Sequence, residues 1–101
     1  MSRTENEVNH VHNNDLGNLT NLGRTSVQWL HAIGIRTPQQ LAATGAVTAY
    51  HAIARRGFRV NKVLLYSLHG ALLNKRWPEI GESEKLELLA ELEALEGSTG
   101  R

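Results

Sequence analysis

The sequence predicts an all-α domain, a compact bundle of about five short helices, and three observations carry that prediction. Apolar residues recur at three- and four-residue spacings between Leu22 and Leu95, the repeat of one helix face. Start and stop signals (Thr37-Pro38, Asn61, Gly34, Gly45 and Gly57) punctuate that pattern at short intervals. No stretch alternates apolar and polar residues for the length a strand needs.

Taken in order, residues 1–15 are polar, Asn-rich and unpatterned, which predicts a disordered lead. The first helix is expected from about Arg24 to Ile33, with Gly34 in the left-handed position that ends it. Thr37-Pro38-Gln39-Gln40 then supplies an N-cap, a proline whose missing N–H costs nothing at the first helical position, and a glutamine to close a capping box. That short helix ends near Thr44 and Gly45. A third is expected from Ala46 to Arg56, stopped by Gly57, with Val47, Tyr50, Ile53 and Ala54 on one face. Asn61 caps a fourth, Lys62 to Asn74, whose apolar residues cover most of its circumference; a helix of that kind is the one others pack against. The fifth starts at Ser83 and ends near Gly97, with Leu88, Leu89, Leu92 and Leu95 as its stripe. The ordered domain is therefore 16–97, with 98–101 a short tail.

A chain of 101 residues forms one domain and buries roughly two-thirds of its unfolded surface. The absence of Cys excludes disulfides and thiolate metal sites. No apolar run approaches the ~18 residues of a membrane helix, and the first residues have no apolar signal core. A soluble cytoplasmic protein without membrane contact is expected. The formal net charge of +1 hides a segregation of sign. From Leu16 to Pro78 the chain carries Arg24, Arg36, Arg55, Arg56, Arg59, Lys62, Lys75 and Arg76 and no acid at all; from Glu79 to Glu96 it carries seven glutamates against Lys85 alone. Such a pattern points either to an anionic partner for the body or to an internal clamp by the acidic helix.

The stretch Asn21-Leu22-Gly23-Arg24-Thr25-Ser26 is where an anion would be held. A helix start leaves its first amide N–H groups without intrahelical partners, and the dipole adds partial positive charge there. Gly23 lets an oxygen approach the backbone closely, Asn21 tolerates a left-handed turn, Arg24 adds charge, and Thr25 and Ser26 add hydroxyl donors. The plain alternative is that Gly23 starts a helix and Leu22 staples it to Trp29 or Leu30. Arg55, Arg56, Arg59 and Lys62 cluster around Gly57. They either extend the same phosphate-binding surface or form a solvated helix end whose charge suits the C-terminal dipole.

Leu19-Thr20-Asn21-Leu22-Gly23-Arg24-Thr25-Ser26 resembles a helix-hairpin-helix element, akin to the Asn-Leu-Gly hairpin of the C-terminal domain of the RNA polymerase alpha subunit. With Trp29-Leu30, Gly34-Ile35-Arg36-Thr37, Leu41-Ala42, Gly45-Ala46-Val47, Tyr50, the run Leu64 to Leu72, and Trp77, the chain resembles the C-terminal domain of the TfoX/Sxy family from about Leu19 to Leu92. The resemblance implies regulation of transcription and natural competence, with helix-hairpin-helix contact to the DNA backbone and little base reading. A protein partner of the transcription machinery, or a homodimer, is the alternative.

The remaining constellations are bland. His10-x-His12 and the separate His31, His51 and His69 lack ligand spacing, so no metal and no cofactor is expected. Trp29 and Tyr66 belong to apolar helices and are expected in the core; Trp77, at a helix break, is open. The acidic helix is expected to pack by its leucines, and to screen the basic body or serve a partner by its glutamates. With no acid in the body, no Cys and no paired nucleophile and base, an enzyme is not expected.

Overall fold

The computed structural model describes residues 16–99, and the expected disordered lead over 1–15 lies outside the described residues. Five helices follow in order: α1 Arg24–Ala32, α2 Pro38–Thr44, α3 Ala46–Arg55, α4 Lys62–Leu73 and α5 Glu82–Thr99. Two single turns of 3-10 helix accompany them, Leu16–Asn18 before α1 and Trp77–Glu79 between α4 and α5. There is no strand among the described residues, and no helix there is long and apolar enough to cross a membrane.

Local chemistry explains the boundaries. α1 ends in a Schellman motif: Gly34, at φ 89°, donates to the His31 carbonyl at 3.0 Å, and Ile35 donates to Leu30 at 2.9 Å. Thr37 Oγ1 accepts the Gln40 N–H at 3.1 Å and caps α2. The capping box closes differently from expectation. The Gln40 side-chain oxygen takes the N–H of Arg36 at 2.6 Å, one residue before the cap. Asn61 caps α4 by accepting the Val63 N–H at 3.0 Å, and Asn74, left-handed at φ 58°, ends it. α5 starts one residue early, because the Glu84 carboxylate reaches back to the Gly81 N–H at 3.1 Å. It also runs past Gly97, whose φ is not among the positive ones. A glycine ends a helix only where the chain turns left-handed there.

The expected hub is displaced by one helix. α3 meets all four other helices, while Val63 and Leu73 of α4 remain 39% and 46% exposed. Ala46 and Ala49 of α3 are buried and small, so neighbours approach its axis closely, and Val47, Tyr50 and Ile53 fill the gaps. Around them lie Leu30 and Leu41, then Leu64, Leu65, Leu68 and Ala71 of α4, and Leu88 and Leu92 of α5. Leu16, wholly buried, fastens the first 3-10 turn beneath α1.

Candidate nucleic-acid interface

The Asn21–Ser26 stretch divides into an inner anchor and an outer edge. Asn21 stands at φ 76°, the left-handed turn its residue type permits. Its side chain points inward. Nδ2 donates to the carbonyls of Lys75 at 2.8 Å and Ser67 at 3.3 Å, and Oδ1 accepts the Trp77 N–H at 3.1 Å. Leu22 is buried in the core. The side chains of these two residues hold the turn from the inside. Gly23, Arg24 and Thr25 are exposed and Ser26 is half-buried. Gly23 is the N-cap in extended backbone, with no side-chain cap, and beyond its own chain neighbours nothing lies within 4 Å of where its Cβ would stand. The helical ladder begins with Val27 donating to Gly23 at 3.0 Å, so the N–H groups of Arg24, Thr25 and Ser26 precede it.

The second basic group sits at the other end of α1. Arg56 Nη1 donates to the Ala32 carbonyl at 2.6 Å, serving the C-terminal dipole of α1, where sequence reasoning looked to the end of α3. Trp29 stacks on Phe58, ring centroids 5.4 Å apart, and binds the α3–α4 connection along the flank of α1. Arg55, the last residue of α3, Arg59 on the connection and Lys62, the first residue of α4, are all exposed. A nine-residue helix separates its ends by roughly 12 Å at 1.5 Å per residue. Arg24 and Arg56 therefore mark the two ends of a basic strip along α1, and Arg55, Arg59 and Lys62 lie within six residues of Arg56 in the chain. Arg24, Gln28 and His31, all exposed, fall on one outward stripe of that helix.

No described carboxylate stands within 4 Å of Arg24, Arg55, Arg56, Arg59 or Lys62. The acidic helix is tied elsewhere. Glu84 meets Lys75 Nζ at 3.2 Å and His69 Nε2 at 3.6 Å, and the Gly81 N–H, then Lys75 and His69, hold its carboxyl below the usual glutamate value. Burial, then the nearby Glu96 and Tyr66, pushes the Tyr50 phenol up. The aromatics are committed to packing: Trp29 and Tyr66 lie half-buried against the core, and Trp77 stacks on Tyr66 at 6.5 Å with Lys85 Nζ 5.3 Å from the Tyr66 ring centre. The described residues hold no group of three or more His, Cys, Asp or Glu that could bind a metal ion.

Sequence reasoning missed Gly70. A Cβ there would lie 2.5 Å from the Lys75 carbonyl oxygen and 2.6 Å from Asn21 Nδ2. The signal was present: a glycine inside an apolar helix costs about 1 kcal/mol and calls for a close approach of another chain.

Comparison with known proteins agrees with this architecture. Two solved structures share it: an uncharacterized protein from Listeria monocytogenes in a triclinic crystal form, 35% identical, covering 82% of this chain and 94% of its own with a TM-score of 0.73, and a protein of unknown function from Listeria monocytogenes in a tetragonal form, 33% identical, covering 80% and 99%, also at 0.73. No curated protein matches. The family model for the TfoX C-terminal domain matches residues 12–92. With the Asn-Leu-Gly turn, the helix order and these relatives in agreement, the chain belongs to the TfoX C-terminal domain family.

Proposed function

We propose that this domain is a non-catalytic module that holds the backbone of duplex DNA, with little base discrimination, in regulating transcription and competence. One observation carries the reading: the exposed cations at both ends of α1 have no described carboxylate partner, while six of the seven acids among the described residues lie on α5. Cations that fold without partners keep their charge available to an external anion. At the α1 start the free amides of the first turn and Arg24 meet one phosphate. Arg55, Arg59 and Lys62 meet others about one helix length away. Four such contacts give a log–log salt slope of about −3.6, so affinity falls roughly 150-fold between 50 and 200 mM salt.

Filter binding with a mixed-sequence duplex at those two salt concentrations tests this. Binding that weakens with salt, and further with Arg24→Glu, supports it; no binding at 50 mM salt overturns it. The second outcome favours a protein-docking module centred on α5, for which the specific observations are Leu86, 65% exposed, and, separately, a groove of about 300 Å³ lined by Val47, Thr48, Glu91, Ala94 and Leu95.

A further inference from the structure

We propose that Asn21 is a positioning residue for the phosphate-binding edge, its carboxamide fixing how α1 presents Arg24 and the free amides of its first turn. The inference rests on the proposed function and adds the device that aims the site. The carboxamide uses both N–H groups and its oxygen on backbone partners 46 to 56 residues away. Those partners lie on α4 and on the Lys75–Trp77 corner that leads to α5. The corner is itself secured: the Lys75 N–H returns to the Gly70 carbonyl at 2.8 Å, its ammonium reaches Glu84, and Thr20 Oγ1 meets Asn74 Oδ1 at 3.0 Å. Gly70 leaves room for the clasp. Had the turn needed only a left-handed backbone, glycine would serve at position 21. An aspartate would set a carboxylate against two carbonyl oxygens. Only the Asn carboxamide satisfies all three partners, and Gly23 follows two residues later.

Asn21→Gly separates the two roles, because it keeps φ 76° accessible and removes the clasp; Gly70→Ala displaces the same carboxamide from the other side. Each variant is titrated with duplex DNA by fluorescence anisotropy at several salt concentrations. Amide shifts of Gly23 to Ser26 are followed by NMR, and circular dichroism reports folding. The expected result is a salt slope reduced by about 0.9, with an affinity loss of about eightfold at 0.1 M salt, the share of one phosphate. The double variant should lose no more than either alone. A purely structural Asn21 would lower the melting temperature and leave slope and affinity of the folded protein unchanged. That result overturns the inference and spares the proposed function. Wild-type protein whose Gly23–Ser26 amides do not respond to DNA overturns both.

Discussion

Arg56→Met separates a structural arginine from the neighbours proposed to meet phosphate. The guanidinium donates to the Ala32 carbonyl at 2.6 Å, one of the last carbonyls of α1, which have no intrahelical donor. A hydrogen bond to a charged group is worth ~1.5–3 kcal/mol net, and at an exposed position solvent screening reduces that to about 1. The helix dipole adds a few tenths. The loss is therefore about 1–1.5 kcal/mol, since methionine keeps the aliphatic packing. For a domain of this size each kcal/mol lowers Tm by roughly 4–8 °C, so a fall of about 5–10 °C is expected by calorimetry. DNA affinity should change less than about twofold, because the group is already occupied, whereas Arg55→Met and Arg59→Met should each lose about eightfold at 0.1 M salt. An Arg56→Met protein with unchanged Tm and an affinity loss equal to that of Arg55→Met refutes the division.

Three further outcomes follow from individual contacts. The folded value of Glu84 lies below its ordinary 4.5, so its stabilising effect is complete above that pH and disappears as pH falls through the lower folded value. In Glu84→Gln the corresponding part of the acid limb, followed by tryptophan fluorescence, should vanish. Gly34→Ala forces a side chain onto φ 89°, although its Cβ would touch nothing. The cost is purely backbone, ~1–2 kcal/mol in urea denaturation. Gly97→Ala is the opposite case, a helical glycine in open space, and should stabilise by about 0.5 kcal/mol; an equal sign for the two glycine variants contradicts the helix-end assignments.

The helices were legible because their ends are written in single residues. Thr37, Asn61, Gly34, Gly45 and Gly57 each impose a backbone requirement that only a few side chains meet, and each stands at an observed boundary. Gly97 misled because glycine permits a left-handed turn without demanding one. The hub was misassigned because hydrophobic coverage measures burial, whereas centrality depends on close approach, which Ala46 and Ala49 permit. In the candidate site, residue types were legible and directions were not. Asn21 and Arg24 stand three apart in a polar stretch, yet one turns inward to carbonyls beyond residue 66 and the other faces solvent. Nothing local encodes that choice; the partners that decide it lie 46 to 56 residues away. The same holds for Arg56, whose carbonyl partner is on another helix.

The segregation of charge then acquires a physical sense that neither end of the chain shows by itself. An acid placed on α1 or α3 would pair with the arginines in the folded state and neutralise the strip. Among the described residues the fold instead keeps every acid but Glu79 on α5 and uses one of them, Glu84, on Lys75 and His69 at the corner with α4. Lys75 thereby faces two ways: its ammonium holds the acidic helix, and its carbonyl receives Asn21. The acidic element is not a lid on the basic strip, since none of its described carboxylates reaches those arginines. It braces the corner that braces the turn. Charge separation of this kind lets one fold use a carboxylate, Glu84, for cohesion while leaving Arg24, Arg55 and Arg59 without a described carboxylate partner, as the proposed function requires.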